Sequence, residues 1–261
     1  MPSPDRPLHL DHLFTRTIDT RAVQFVRPGD TDRPTWAAYE DTRYLGTVHA
    51  QLDAGQHWHV QSLRENHRHL DDAVRALRRP ASWRADHERV RWWARSILTD
   101  PHLVVLDVQT TSLTDPWAVQ IGLTDRHGNV LFDQRLNPLA GITPAAAALH
   151  GVTHQLAATA PPFAAVVPSL TPLLHGRRCL TYNAAFDRGV LERELHRYFR
   201  SAPQARAWLR RSAWVDAMRP YAAWRGLWSA RRNSYRYQRL GSSYEAVTNC
   251  RLLLSTLEQI S

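Results

Sequence analysis

Residues 102 to 113 read His-Leu-Val-Val-Leu-Asp-Val-Gln-Thr-Thr-Ser-Leu. Four apolar residues run into an acid, and polar turn formers follow at once. An apolar run of this length, bounded by turn residues, has the pattern of a buried strand. The end of such a strand delivers Asp107 to the edge of a sheet, where α/β proteins gather their chemistry. A chain with this feature near its middle is expected to build a sheet around it, with helices packed on the faces.

The segments after it fit that expectation. Trp117–Leu123 and Val130–Arg135 read as strands joined by Asp125-Arg126-His127-Gly128-Asn129, a plausible hairpin turn. Pro144–Leu149 is Ala-rich and reads as a helix, as does Pro161–Leu174 with Pro at its start, where the ring is tolerated. Cys179–Tyr182 is a short strand, 183–199 a helix, and Ala213–Val215 a strand with Asp216 placed to cap a helix through Tyr221. Residues 243–260 close the chain as an amphipathic helix.

The first hundred residues have a different character. Residues 1–20 read as a loose lead-in. Ala22–Val26, Thr35–Tyr39, Tyr44–Ala50 and Trp58–Leu63 have strand composition, separated by Arg27-Pro28-Gly29-Asp30 and Asp53-Ala54-Gly55. His69–Leu77 carries Leu70, Val74 and Leu77 at helical spacing, and Arg79-Pro80 ends it. Residues 21–80 are expected to form a small antiparallel sheet with one helix across it. A helix over 82–98, within a connector at 81–100, carries Trp83, Trp92 and Trp93 among Arg84, Arg89, Arg91 and Arg95. Arginine interleaved with tryptophan can stack bases and hold phosphates, but packing of the tryptophans between two domains is the favoured reading. The cluster His57, His59, His67 and His69 lacks a metal-ligand pattern and reads as surface histidines.

Composition narrows the class. The chain has 261 residues, a net charge of +9, and arginine as its only strongly basic residue. Residues 1–100 hold 15 Arg against 14 acids, whereas residues 101–261 hold 18 against 10. The excess sits on the second part, as expected for a surface that tracks phosphates. No apolar run approaches the length needed to span a bilayer, and the first residues lack the apolar core of a secretory signal. Cys179 and Cys250 make neither a disulfide framework nor a zinc pattern, and read as buried thiols of a cytoplasmic protein.

Several blocks together resemble the DEDD 3'–5' exonucleases, the group that includes proofreading exonucleases and RNase T. The strand end Asp-Val-Gln-Thr-Thr-Ser-Leu at 107–113 resembles the family's first motif, Asp-x-Glu-Thr-Thr-Gly-Leu. Val-Gln-Ile-Gly at 119–122, His-Gly-Val-Thr at 150–153, Tyr-Asn-Ala-Ala-Phe-Asp at 182–187, Trp-Val-Asp-Ala-Met at 214–218 and Tyr-Gln-Arg-Leu at 237–240 follow in the family's order. The resemblance covers residues 102–260. It implies an α/β, RNase H-like mixed sheet flanked by helices over 101–261, preceded by the small α+β module.

The family's chemistry rests on two divalent cations, one activating water and one stabilising the leaving oxygen, balanced by four carboxylates. Here Asp107 and Asp187 stand at their motif positions, Gln109 replaces the Glu, and Asn249 stands where the third motif has its last Asp. Tyr244 falls where the family has His, and no His follows His196, so this last segment holds no general base. Two unit charges about 4 Å apart interact by about 4 kcal/mol at an effective dielectric near 20, so each missing carboxylate costs metal affinity. Weak or single-site Mg²⁺ or Mn²⁺ binding at Asp107 and Asp187 is the expectation. By resemblance, Thr110, Thr111 and Leu113 would hold a terminal 3' nucleotide, His150 and Thr153 would line the same pocket, and Asn183 and Phe186 would border the phosphate.

Three accounts of the incomplete acid set stay open: natural loss of catalysis, engineered substitution of catalytic residues, and a one-metal nuclease using Glu245 as a displaced ligand. The first reading is a protein that binds nucleic-acid 3' ends, most readily single-stranded, with hydrolysis lost or strongly reduced. The second is an active metal-dependent 3'–5' exonuclease, and the third a protein-interaction scaffold. The N-terminal module could supply a protein partner, and no membrane partner is expected.

Overall fold

The computed structural model describes residues 11–29, 34–51, 57–229, 232, 234–241 and 244–261. Four expectations fall on other residues: the first ten of the lead-in, Asp30 of one turn, Asp53-Ala54-Gly55 of another, and Ser243 at the start of the last helix. The chain divides into two compact units. One comprises residues 1–84 and 225–236, the other 85–224 and 237–261.

The first unit is a six-stranded antiparallel meander: β1 (Leu13–Ile18), β2 (Arg21–Val26), β3 (Thr35–Glu40), β4 (Arg43–Gln51), β5 (His57–Val60) and β6 (Glu65–His67), hydrogen-bonded in that order. Alternate residues of these strands turn inward, as a one-sided sheet requires. Helix α1 (Leu70–Leu77) covers that face, and Phe25, Trp36, Trp58, Leu70 and Val74 are buried together. Two details differ from the sequence reading. Leu13–Ile18 is a strand rather than lead-in, because its partner β2 satisfies its backbone in register from Leu13↔Val26 to Ile18↔Arg21. The strand expected at 58–63 breaks at Val60 into a turn, and β6 returns beside it.

The second unit is built on a five-stranded mixed sheet. Its strands are β7 (Leu103–Thr110), β8 (Ala118–Asp125), β9 (Val130–Arg135), β10 (Arg178–Thr181) and β11 (Ala213–Asp216), in the order β11-β10-β7-β8-β9. β7, β8 and β9 form an antiparallel meander, and β10 and β11 run parallel to β7. This order is the RNase H-like arrangement. The hairpin between β8 and β9 is as expected, with Asp125 Oδ1 accepting from His127 N and Asn129 N at 2.8 and 2.9 Å.

The period-two alternation of β7 sends its side chains to two different cores. Val104, Leu106 and Val108 pack with α5 (Phe163–Leu174), α6 (Ala184–Phe199) and α7 (Ala202–Leu209). Leu103 and Val105 face the other way, against α2 (Trp83–Leu98), α8 (Met218–Arg225) and α9 (Ala246–Ile260). Val90, Ala94 and Ile97 of α2 are buried in this second core, so most of that helix is a layer of the domain rather than a connector. Trp93 packs against the same core, whereas Trp92 is 72% exposed. The short helices α3 (Pro144–His150) and α4 (His154–Ala158) complete the unit, and α4 and α7 were not anticipated. Residues 225–236, expected within the exonuclease-like domain, group with the first unit and carry a small hairpin, β12 (Trp228–Ser229) with β13 (Ser234–Tyr235).

Among the described residues, no helix is long and apolar enough to cross a membrane.

One glycine sets how closely α9 approaches the sheet. A Cβ built on Gly122 of β8 would lie 2.7 Å from the backbone of both Ala246 and Val247. Backbone cannot yield as a flexible side chain can, so Gly122→Ala should cost about 1–3 kcal/mol through overpacking. Gly189, inside α6 with nothing within 4 Å of a Cβ, is the control. Gly189→Ala should gain about 0.5–1 kcal/mol. Urea unfolding midpoints of the two variants should move in opposite directions from the unsubstituted chain. A Gly122→Ala variant as stable as the parent would show that α9 does not need this approach.

Candidate functional site

The alternation that sends Leu103 and Val105 toward α9 does the same for Asp107 and Gln109. Asp107 pairs with Gly122 across the sheet, and α9 crosses close above that point. Its first turns bring Asn249 over β7, which continues past Asp107 to Thr110 rather than ending at the acid, and Asn249 Nδ2 donates to Asp107 Oδ2 at 3.2 Å. Gln109 Nε2 donates to the same oxygen at 2.5 Å. The residues at the first- and third-motif positions are therefore joined directly, through two amides on one carboxylate oxygen.

Asp187 arrives from the other side of the strand. Asn183 caps α6 by accepting from Phe186 N at 3.3 Å, which sets Asp187 in the helix's first turn. Its Oδ1 accepts from the backbone N–H of Val108 at 3.2 Å, and the residue is buried. A helix N-terminus favours an ionised carboxylate by about 0.3–1 kcal/mol. Burial outweighs that, and with the charge of Asp107 it pushes the Asp187 carboxyl well above the usual carboxylate range. Burial also raises Asp107, to about 6, against the lowering effect of the Gln109 and Asn249 amides and with a small further push from Glu245.

Tyr244 lines an open cleft beside these residues, with Asp107, Leu149, Tyr182, Arg239 and Asn249. It lies before α9 rather than on it, because the helix starts at Ala246. Glu245 explains the later start. Its carboxylate caps the helix, accepting from Val247 N at 3.1 Å and Thr248 N at 2.7 Å. Burial works to raise the Glu245 carboxyl, but these bonds, with those of the Thr248 hydroxyl and Gln120, hold it below its usual range. A carboxylate engaged this way is a cap, which corrects the reading of Glu245 as a displaced metal ligand.

The residues expected to hold a nucleotide have definite structural duties. Thr111 Oγ1 accepts from Trp117 N at 3.0 Å, and the Thr111 carbonyl accepts from Thr143 N at 3.0 Å. Thr110 and Thr111 are buried, whereas Leu113 in the turn beyond them is 86% exposed. His150 Nδ1 accepts from Val152 N at 3.1 Å, which leaves the proton on Nε2 to donate to the Thr110 carbonyl at 3.1 Å. Burial lowers the His150 pKa, in keeping with this neutral tautomer. Thr153 caps α4 by accepting from Leu156 N at 3.2 Å, and Phe186 packs against the core. Leu149, Tyr182 and Arg239 were not singled out from the sequence, although each stands in or beside a block that resembles the family.

The donor set does not fit a two-ion centre. Two carboxylates stand where the family pattern has four, and one oxygen of Asp107 already takes two amide N–H groups. Among the described residues, no group of three or more His, Cys, Asp and Glu side chains could hold a metal ion.

The raised Asp107 pKa has a consequence for stability. Folded Asp107 takes up its proton near pH 6, while the unfolded residue does so near its ordinary 3.8. Between those values the folded state binds more protons, so this group favours folding at low pH and that contribution is lost as pH rises through about 6. The difference corresponds to about 3 kcal/mol at neutral pH. Asp107→Asn should therefore stabilise the chain at pH 7–8 by up to about 3 kcal/mol, with the gain shrinking toward pH 4. Chemical denaturation of both forms across this range measures it, and a difference that does not vary with pH would contradict the assignment.

No protein-family model matches the chain, and no curated protein matches it. Solved structures do. The zinc-ion-bound E. coli ExoI–ssDNA complex aligns at 19% identity and TM-score 0.46, over 59% of this chain and 39% of that one. Exonuclease I from Methylocaldum szegediense aligns at 18% and 0.48, again over 59% and 39%. Exonuclease X in complex with 5' overhanging duplex DNA aligns at 23% and 0.42, over 60% of this chain and 90% of that one. The aligned part of the chain thus spans well under half the length of the exonuclease I structures. By its strand order, with Asp107 on the central strand, Asp187 in a helix's first turn and Asn249 on the closing helix, the second unit has an RNase H-like fold.

Proposed function

We propose that the chain binds nucleic-acid 3' ends, single strands in the first place, and has lost most or all of the hydrolytic activity that its fold family performs. The observation that carries this reading is the state of Asp107. Amides from Gln109 and Asn249 hold its carboxylate where the family pattern has further carboxylates. An amide supplies hydrogen bonds without charge, so the site keeps its shape while losing the field that gathers cations. Burial raises both remaining acids above the ordinary aspartate range.

The binding side of the reading rests on other residues. Leu113 stands out from the strand end on a turn fixed by Thr111 and Thr143, available to pack against a base. The cleft offers Tyr182 and Tyr244 as aromatic surfaces and Arg239 as a cation. Aromatic stacking is worth about 1–3 kcal/mol per base and tolerates any sequence. The excess of arginine over acids in residues 101–261 adds long-range attraction.

The test pairs binding with chemistry. Anisotropy of a 3'-labelled single strand should report saturable binding that weakens with salt, at a slope of about −0.7 per phosphate contacted. Leu113→Ala should weaken it without lowering the melting temperature. No nucleotide release is expected with Mg²⁺ or Mn²⁺, and calorimetry should find at most weak binding of one ion. Gln109→Glu and Asn249→Asp introduced together should strengthen metal binding. Nucleotide release by the unsubstituted chain would refute the loss of hydrolysis, and salt-insensitive or absent strand binding would refute the binding assignment in favour of a protein-interaction scaffold.

A further inference from the structure

A second site lies wholly within the first unit. A small concave pocket is lined by Arg21, Glu40, Arg43, Arg78, Trp228 and Arg236, among others. The last two come from the segment 225–236, whose hairpin sets the Trp228 ring edge-on to Tyr235 at 5.0 Å. Four arginines thus line a space that two distant stretches of the chain assemble, and two of them, Arg21 and Arg78, pair with Glu40.

The acids nearby are already engaged. Glu40 is 6% exposed and ion-paired with Arg21 at 3.3 Å and with Arg78. Arg78 also reaches Asp19 at 3.1 Å, and Arg75 holds the same carboxylate at 3.0 Å. Burial acts to raise the Asp19 carboxyl, yet Arg75, Arg78 and Arg236 together hold it below the usual range. Arg78 Nε is buried without a hydrogen-bond partner, a donor still lacking its acceptor. Like charges packed this closely repel, and a compact anion would relieve the repulsion while accepting several N–H groups. Guanidinium forks match the oxygens of a phosphate in spacing and plane.

We infer that this pocket binds a phosphate group. The group could be carried by the 5' end of a strand or by a free small molecule; the recognition chemistry is the same. This site is independent of the cleft at Asp107 and of the function proposed for it.

The experiment is a calorimetric titration of the full chain with inorganic phosphate, with ionic strength held constant by chloride. Saturable binding is expected. Arg43→Glu, at an exposed strand end, should weaken it at least tenfold, and Arg43→Lys should retain most of it. Arg236→Glu provides a second charge reversal, and circular dichroism verifies that each variant is folded. Asp107→Asn should leave phosphate binding unchanged. Competition by a 5'-phosphorylated single strand, but not by its 5'-hydroxyl counterpart, would assign the phosphate to a strand end. Competition by neither strand, with inorganic phosphate still bound, would assign it to a small molecule. Absence of saturable phosphate binding would overturn the inference. So would binding untouched by both charge reversals, or binding abolished by Asp107→Asn.

Discussion

The contact on which the second unit depends is the seating of the first turn of α9 on Gly122. With no side chain at that point, the backbone of Ala246 and Val247 comes down onto β8, within a distance that a Cβ would forbid. Everything at the site follows from this approach. Asp107 lies across the sheet from Gly122, so the helix that rests on one covers the other, and Asn249 meets the carboxylate one turn further along. Glu245 begins the helix at the right place by taking two of its unpaired N–H groups. Cys250 fills the space beneath, its thiol near the carbonyls of Val105 and Gly122.

A buried carboxylate in such a position is a cost to the fold unless something neutralises it. A cation can do so by charge, whereas hydrogen-bond donors do so by dipoles and bring no requirement for metal. Gln109 and Asn249 belong to the second kind. They lower the Asp107 pKa against burial but do not restore it to the ordinary range, so the site stays strained toward protonation. The amides and the metal pair are alternative solutions to one electrostatic problem. An amide at both flanking positions ties the central strand to the closing helix through one carboxylate oxygen.

Much of this was legible in the sequence, and the parts that were not share a cause. The β7 run, its two antiparallel neighbours and the helix opening at Asn183 were readable because period, turn residues and caps agree there. The placement of Asp107 on the central strand and Asp187 in a helix's first turn was readable from motif order. Glu245 was not, because a cap and a ligand have the same side chain, and only the placement of Val247 N and Thr248 N distinguishes them. The helix begins at Ala246, with Glu245 as its cap. Tyr244 therefore belongs to the cleft wall rather than to the helix. Residues 225–236 carry no periodic pattern that would tie them to a sheet nearly two hundred positions earlier, so their membership of the first unit could come only from three-dimensional contacts.

That last segment also changes how the charge of the chain should be read. Counted along the sequence, the first hundred residues are nearly neutral and the arginine excess lies beyond them. Counted in space, Arg236 joins Arg21, Arg43 and Arg78 in lining one pocket, so a locally basic pocket stands in a stretch whose composition is balanced. Net charge over a segment averages away such concentrations, because the acids that balance it can sit on another face. Asp71 and Asp72, for example, are engaged by Arg16 and Arg75 instead. Electrostatic recognition acts over a Debye length of about 8 Å at physiological salt, so the arrangement within one pocket decides what it attracts.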